Sequence, residues 1–122
     1  MAFAFEGLVV YQRALDYSIA VIDIIDQITT PRKHYKLIEQ LEASCTSIAL
    51  NIAEGKGRYS KKEFRQFLYI SRGSLYETIT MLTIFRRKKW LEESRYNALY
   101  CEAEEINKMF SGLINSLGLS NP

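Results

Sequence analysis

Four apolar stripes, each repeating every three or four residues or twice that, dominate this chain and leave room for little else. Leu8, Leu15, Ile19, Ile22 and Ile25 form the first. Leu37, Leu41, Cys45, Ile48 and Ile52 form the second. Phe64, Phe67, Leu68, Leu75, Met81, Leu82 and Phe85 form the third. Tyr96, Leu99, Ala103, Ile106, Phe110, Leu113 and Leu117 form the fourth. An alternating strand pattern is absent from the sequence, and only six Gly and two Pro interrupt it. The spacing predicts helices over about residues 6–28, 32–54, 60–88 and 92–117. At a rise of about 1.5 Å per residue each is roughly 30–42 Å long. Helices of matching length joined by short turns must be antiparallel neighbours. The expected fold is all-α: one antiparallel up-down-up-down four-helix bundle over residues 1–122, with 48% hydrophobic residues to fill its core.

The punctuation agrees. Thr30 can cap and Pro31 suits a first helical turn. Gly55 stands where a helix stop wants positive φ, making "GKGRY" a five-residue turn. Ser60-Lys61-Lys62-Glu63 is a capping box: the Ser60 hydroxyl takes the Glu63 backbone donor, and the Glu63 carboxylate reaches back to the Ser60 N–H. A phosphate loop needs G-x-x-x-x-G-K-[ST] between strand and helix, and neither spacing nor context is present.

No stretch approaches the roughly 18 uncharged apolar residues of a membrane span, and the start carries no basic leader. Cys45 and Cys101 are isolated and read as buried, reduced thiols. A cytoplasmic protein without membrane attachment is expected. The single histidine, His34, offers no Glu-x-x-His pairs for a di-metal centre. It also sits too near a bundle end to meet a serine in mid-bundle as part of a triad. The expectation is a protein that is not an enzyme and carries no metal or cofactor.

A polar stripe runs beside the apolar one. Gln40, Ser44, Ser47, Asn51 and Glu54 are spaced 4, 3, 4 and 3 and share one face of the second helix. Ser71, Ser74 and Thr78, with Glu77 alongside, answer from the third. Small hydroxyl residues let two helices approach closely and hydrogen-bond across the contact. Burial would demand such pairing, because an unmatched polar group costs about 1–3 kcal/mol. The stripe reads first as a structural polar seam that fixes register and second as the wall of a ligand or catalytic pocket. Arg58 and Arg72 are the nearest cations for Glu54 and Glu77.

Net charge is only +2, but its distribution is uneven. Residues 31–72 hold nine bases against four acids, and residues 1–30 hold one base against four acids. The topology gathers Arg32, Lys33 and Lys36 with Arg86, Arg87, Lys88, Lys89 and Trp90 at one bundle end. Lys56, Arg58, Lys61, Lys62 and Arg65 gather at the other. Both are candidate nucleic-acid contacts, through phosphate and through stacking on Trp90. Dipole compensation by the bases, and a tryptophan plugging the bundle end, explain the first cluster without any nucleic acid and are the first reading of it. The aromatic complement, eight Tyr, six Phe and one Trp, exceeds what a narrow core takes. Tyr11, Tyr17, Tyr69, Tyr76 and Tyr100 are expected partly outside the seams, which points to a subunit interface.

The run "SIALNIAEGKGRYSKKEFRQFLYISRGSLYET" resembles the signature of the four-helix-bundle family of ribosomal-RNA intervening-sequence proteins. That family also includes the accessory variability proteins of diversity-generating retroelements. The likeness spans about residues 5–117. It is strongest in the order Ser47, Asn51, Ile52, Ala53, Glu54, Gly55, Gly57, Arg58, Ser60, Glu63, Phe67, Gly73, Ser74, Glu77. It implies a helical bundle assembled with itself, a ring of five being the first expectation. It also implies partners that are RNA, DNA or another protein. The retroelement branch implies a second role, a nucleic-acid-binding accessory subunit of a reverse transcriptase. The family usually carries two arginines after the Gln-Leu of the second helix. Here those positions are Glu42 and Ala43, which removes or inverts any nucleic-acid contact there.

Overall fold

The computed structural model describes residues 2–28 and 34–118. A 3-10 turn over Ala4–Gly7 precedes α1 (Val9–Gln27), α2 (Tyr35–Lys56), α3 (Lys61–Arg87) and α4 (Glu93–Ser116). No strand occurs among the described residues, and none of their helices is long and apolar enough to cross a membrane. The expected capping by Thr30 and Pro31 falls outside the described residues.

Pairing between helices gives the topology. Ser44, Ser47 and Ile48 of α2 meet Thr78, Ser74 and Ser71 of α3, so numbers rise on one helix as they fall on the other. Thr83 and Tyr76 of α3 meet Tyr96 and Asn107 of α4 in the same antiparallel sense. Ser18 of α1 donates to the Cys45 carbonyl of α2. Arg13 of α1 forms a two-pronged ion pair with Glu102 of α4, at 2.6 and 2.8 Å, which closes the ring of four helices. Hydrogen bonding to Glu102 raises the Arg13 pKa further.

The core follows the predicted stripes on α2, α3 and α4. On α1 it does not. The buried line is Val10, Ala14, Tyr17, Val21 and Ile24, while Ile19 is 57% exposed. Leu8, Leu15, Ile22 and Ile25 pack only along its edge. Helix α1 is apolar on most of its circumference, so two lines satisfied the 3–4 spacing, and the smaller Ala14 and Val21 are the ones that fit beneath α2 and α4. Tyr17, expected near the surface, is 1% exposed, and burial pushes its phenol pKa far up. Cys45 is buried as expected, with its thiol pushed up to about 11 by desolvation. Cys101 is exposed, contrary to expectation.

Gly55 is not a helix stop. Helix α2 runs through it to Lys56, and the only glycine with positive φ among the described residues is Gly118. The turn is correspondingly shorter than "GKGRY", ending α2 at Gly57 with φ −79°. Gly55 instead faces Phe64 and Phe67, leaving no room for a Cβ. Ser60 caps α3 by accepting from the Glu63 N–H at 3.1 Å. The return limb differs from the expected one, since the Glu63 carboxylate takes the Ser60 hydroxyl proton at 3.2 Å.

Candidate functional site

Helices α2 and α3 approach through small residues, and their hydroxyls form a ladder. At the centre Ser47 Oγ lies 2.9 Å from Ser74 Oγ. Asn51 Nδ2 donates to the Ser47 hydroxyl and carbonyl, each at 2.8 Å. Deeper, Thr78 Oγ1 lies 2.9 Å from Ser44 Oγ and 2.8 Å from the Ser74 carbonyl. Ser71 donates to the Ile48 carbonyl. Ser44, Ser71 and Thr78 are buried, whereas Ser47, Asn51 and Ser74 are half-buried. The ladder therefore runs from core to surface, with every hydroxyl in a hydrogen bond.

The carboxylates behave differently. Glu54 is exposed and bonds Arg58 one turn on, at 2.6 Å. Glu77 is exposed, and its nearest polar partner is the Gln40 amide at 3.4 Å. Arg72 does not pair with Glu77; its guanidinium lies over the rings of Tyr69 and Tyr76, 4.9 and 5.9 Å from their centroids. The two carboxylates thus sit on the outer rim, each with its own partner. Among the described residues no three His, Cys, Asp or Glu side chains converge as a metal site would require.

At the α3–α4 corner the chain leaves α3 through Lys88 and Lys89. The Trp90 N–H reaches back to the Phe85 carbonyl and the Lys89 N–H to that of Arg86, both at 2.9 Å. Lys89 holds φ 64°, at the position where such a reversal prefers glycine. Trp90 is half-buried between His34, stacked at 4.5 Å, and Phe85, edge-on at 5.4 Å. Its ring is thus covered by His34 on one side. Arg86 lies 4.4 Å from the Tyr96 ring centroid. Arg87, Lys88 and Lys89 are exposed, as is Lys36 on α2. Arg32 and Lys33 lie outside the described residues.

At the opposite end Lys56, Arg58, Lys61 and Lys62 are exposed. Lys56 and Arg58 sit over the rings of Phe64 and Phe67. Arg65, expected among the surface cations, is only 8% exposed. It follows Phe64 and precedes Leu68 by three, which turns it toward the core side of α3. The sequence reading missed Ser18, although its place four residues after Ala14 and three before Val21 puts it on the buried line. Nothing in sequence announces the Arg13–Glu102 pair, whose members are 89 residues apart.

The sequence model for the 23S rRNA-intervening sequence proteins matches residues 6–112. A solved structure, a protein of unknown function from the S23 ribosomal protein family of Bacteroides thetaiotaomicron, is similar in fold. It has a TM-score of 0.80 and 24% identity over 87% of this chain and 98% of that one. A search of curated proteins finds no match. Because the family match runs through the first three helices, the hydroxyl ladder and most of α4, the chain belongs to the 23S rRNA-intervening sequence protein family.

Proposed function

We propose that this protein is a non-enzymatic interaction module: a cytoplasmic homo-oligomer of helical bundles that scaffolds RNA or a protein partner. The observation that carries this reading is the exposed apolar surface. Among the described residues eleven large apolar or aromatic side chains are 38% exposed or more, four of them (Tyr69, Ile70, Tyr76 and Ile84) on α3. Aromatic side chains of this kind are enriched where subunits meet. The absence of chemistry is supported by the rim carboxylates, Glu54 and Glu77, which are exposed and separately partnered. Light scattering on the purified chain tests self-association, with a ring of five as the first expectation from the family likeness. A monomer at micromolar concentration would remove the reading. Crosslinking in cells, with sequencing of bound RNA and identification of bound protein, separates the two kinds of partner.

A second reading, a nucleic-acid-binding accessory subunit of a reverse-transcriptase retroelement, draws on the α3–α4 corner. Arg87, Lys88 and Lys89 are exposed there, with no carboxylate in ion-pair distance among the described residues. Such side chains bind phosphate without reading bases. Fluorescence anisotropy with a structured RNA and a duplex DNA across a salt series tests it, and no binding at low salt would discard it.

A further inference from the structure

The outward faces of α1 and α3 carry opposite charge and matching apolar positions. On α1 the exposed residues Val9, Gln12, Asp16, Ile19, Asp23 and Asp26 are spaced 3, 4, 3, 4 and 3, a straight line along the helix. On α3 the exposed line includes Tyr69, Tyr76, Thr80, Ile84 and Arg87, with Arg72 spread over the two tyrosine rings. The charges on the α1 line are three aspartates, whereas Lys61, Lys62, Arg72 and Arg87 stand on the outer side of α3 against Glu77, Arg65 being buried and Arg86 half-buried over Tyr96. Asp16, Asp23, Asp26, Arg72 and Arg87 have no ion pair among the described residues.

The geometry points to a head-to-tail contact between copies of this chain, with the acidic line of α1 seated on the basic, tyrosine-bearing line of a neighbouring α3. This rests on the self-association reading above and names its surface. Two stripes of opposite charge attract each other and repel their own kind, so the contact joins unlike faces. Such a contact leaves one acidic and one basic line free at the ends of any pair. Assembly therefore continues beyond two copies until rotation closes it.

Register follows from the fold. Ser18 is tied to Cys45, and neighbouring Ser44 to Thr78, so Ser18 of α1 and Thr78 of α3 lie at nearly one level. Both helices also run in the same direction. Rotation about an axis parallel to the bundle preserves level and direction. It brings Asp26 beside a neighbour's Arg87, Ile19 beside Thr80 between Tyr76 and Ile84, and Val9 beside Tyr69. Asp16 then comes within a turn of Arg72.

The test begins with the mass of the wild-type chain by light scattering, expected above twice 14.1 kDa. Two charge-reversed variants follow: Asp16→Lys/Asp23→Lys/Asp26→Lys on α1, and Arg72→Glu/Arg87→Glu on α3. Each is expected to fall to a folded monomer by circular dichroism and mass. Mixing the two restores assembly as multimers in which the variants alternate, because each variant's reversed stripe then meets the complementary stripe of the other; such alternation closes only with an even number of copies. Either variant keeping the wild-type mass, or a mixture that stays monomeric, overturns the inference. A wild-type oligomer indifferent to both variants discards this surface and leaves self-association standing, whereas a monomeric or dimeric wild type discards the head-to-tail contact at once. A disulfide trap gives a measurement independent of the charge variants. Ile19→Cys with Thr80→Cys, on a Cys101→Ser background, is expected to yield a ladder of covalent multimers on oxidation. Its absence from an assembled sample counts against the register.

Discussion

Gly55 of α2 and Phe67 of α3 touch so closely that any side chain at position 55 would collide with the Phe67 Cβ. The contact brings the ends of the two helices together just before the turn that joins them. It also explains a glycine in a helix interior, where alanine is otherwise better by about 1 kcal/mol.

Two helical glycines should therefore respond to alanine with opposite sign. Gly55→Ala overpacks the α2–α3 contact and is expected to destabilise by about 1–3 kcal/mol. Gly112, exposed on α4 with open space around its Cα, gains helix propensity instead. Gly112→Ala is expected to stabilise by about 0.5–1 kcal/mol. Urea melts of both variants check the sign; a loss for Gly112→Ala or a gain for Gly55→Ala would contradict the account.

The hydroxyl ladder makes a graded prediction. Thr78→Val keeps shape but removes the buried bond to Ser44, and a cost of about 1–3 kcal/mol is expected. Asn51→Leu removes the two hydrogen bonds that its amide donates to Ser47 and is expected to cost a comparable amount. Glu54→Leu removes only an exposed ion pair and should stay within about 0.5 kcal/mol of wild type. Thermal denaturation separates the two seam variants from the rim variant, and a loss for Glu54→Leu as large as that for Thr78→Val would contradict the division into seam and rim.

Cys45 and Cys101 should differ in chemistry and in pH behaviour. Exposed Cys101 is expected to react promptly with a maleimide near pH 8, and buried Cys45 only on unfolding. The raised Cys45 value of about 11 means that the folded state favours the neutral thiol. Its contribution to stability is complete below the unfolded pKa of roughly 8.5 and is lost as pH rises toward 11. Burial of Tyr17 acts in the same direction above about pH 10. Chemical denaturation from pH 7 to 11 should show stability falling, and Cys45→Ala should flatten the fall between pH 8.5 and 11.

Lys89 occupies a left-handed conformation that glycine adopts freely. Lys89→Gly is expected to stabilise by about 1 kcal/mol. If the corner binds nucleic acid, the same substitution removes a phosphate contact. Changing Arg87, Lys88 and Lys89 together to glutamate should then flatten the log–log salt slope by about 2–3. The pair Lys61 and Lys62, changed likewise, should have the smaller effect. Anisotropy titrations across a salt series measure both.

The four helices could be read from the sequence because periodicity is a property of each helix alone. The Ser60 cap and the α2–α3 polar stripe were legible for the same reason, being patterns within a few turns of chain. What could not be read depends on which helix stands opposite. The core line of α1, the burial of Tyr17 and the exposure of Cys101 are set by neighbours distant in sequence. Gly55 shows the limit most sharply. Its type signalled a backbone exception, and the exception proved to be steric, imposed by Phe67 twelve positions away.

The hydroxyl ladder also bears on the order of folding. It joins two helices adjacent in the chain, connected by the short turn between Lys56 and Lys61. Their pairing closes only a small loop and therefore loses little chain entropy. The α1–α4 contact includes a surface ion pair between residues 89 positions apart, which rewards closure late and weakly. The α2–α3 hairpin is thus the segment placed to form first and open last. Its amides should exchange with solvent at the rate of global unfolding, while α4 releases its own through smaller, more frequent openings.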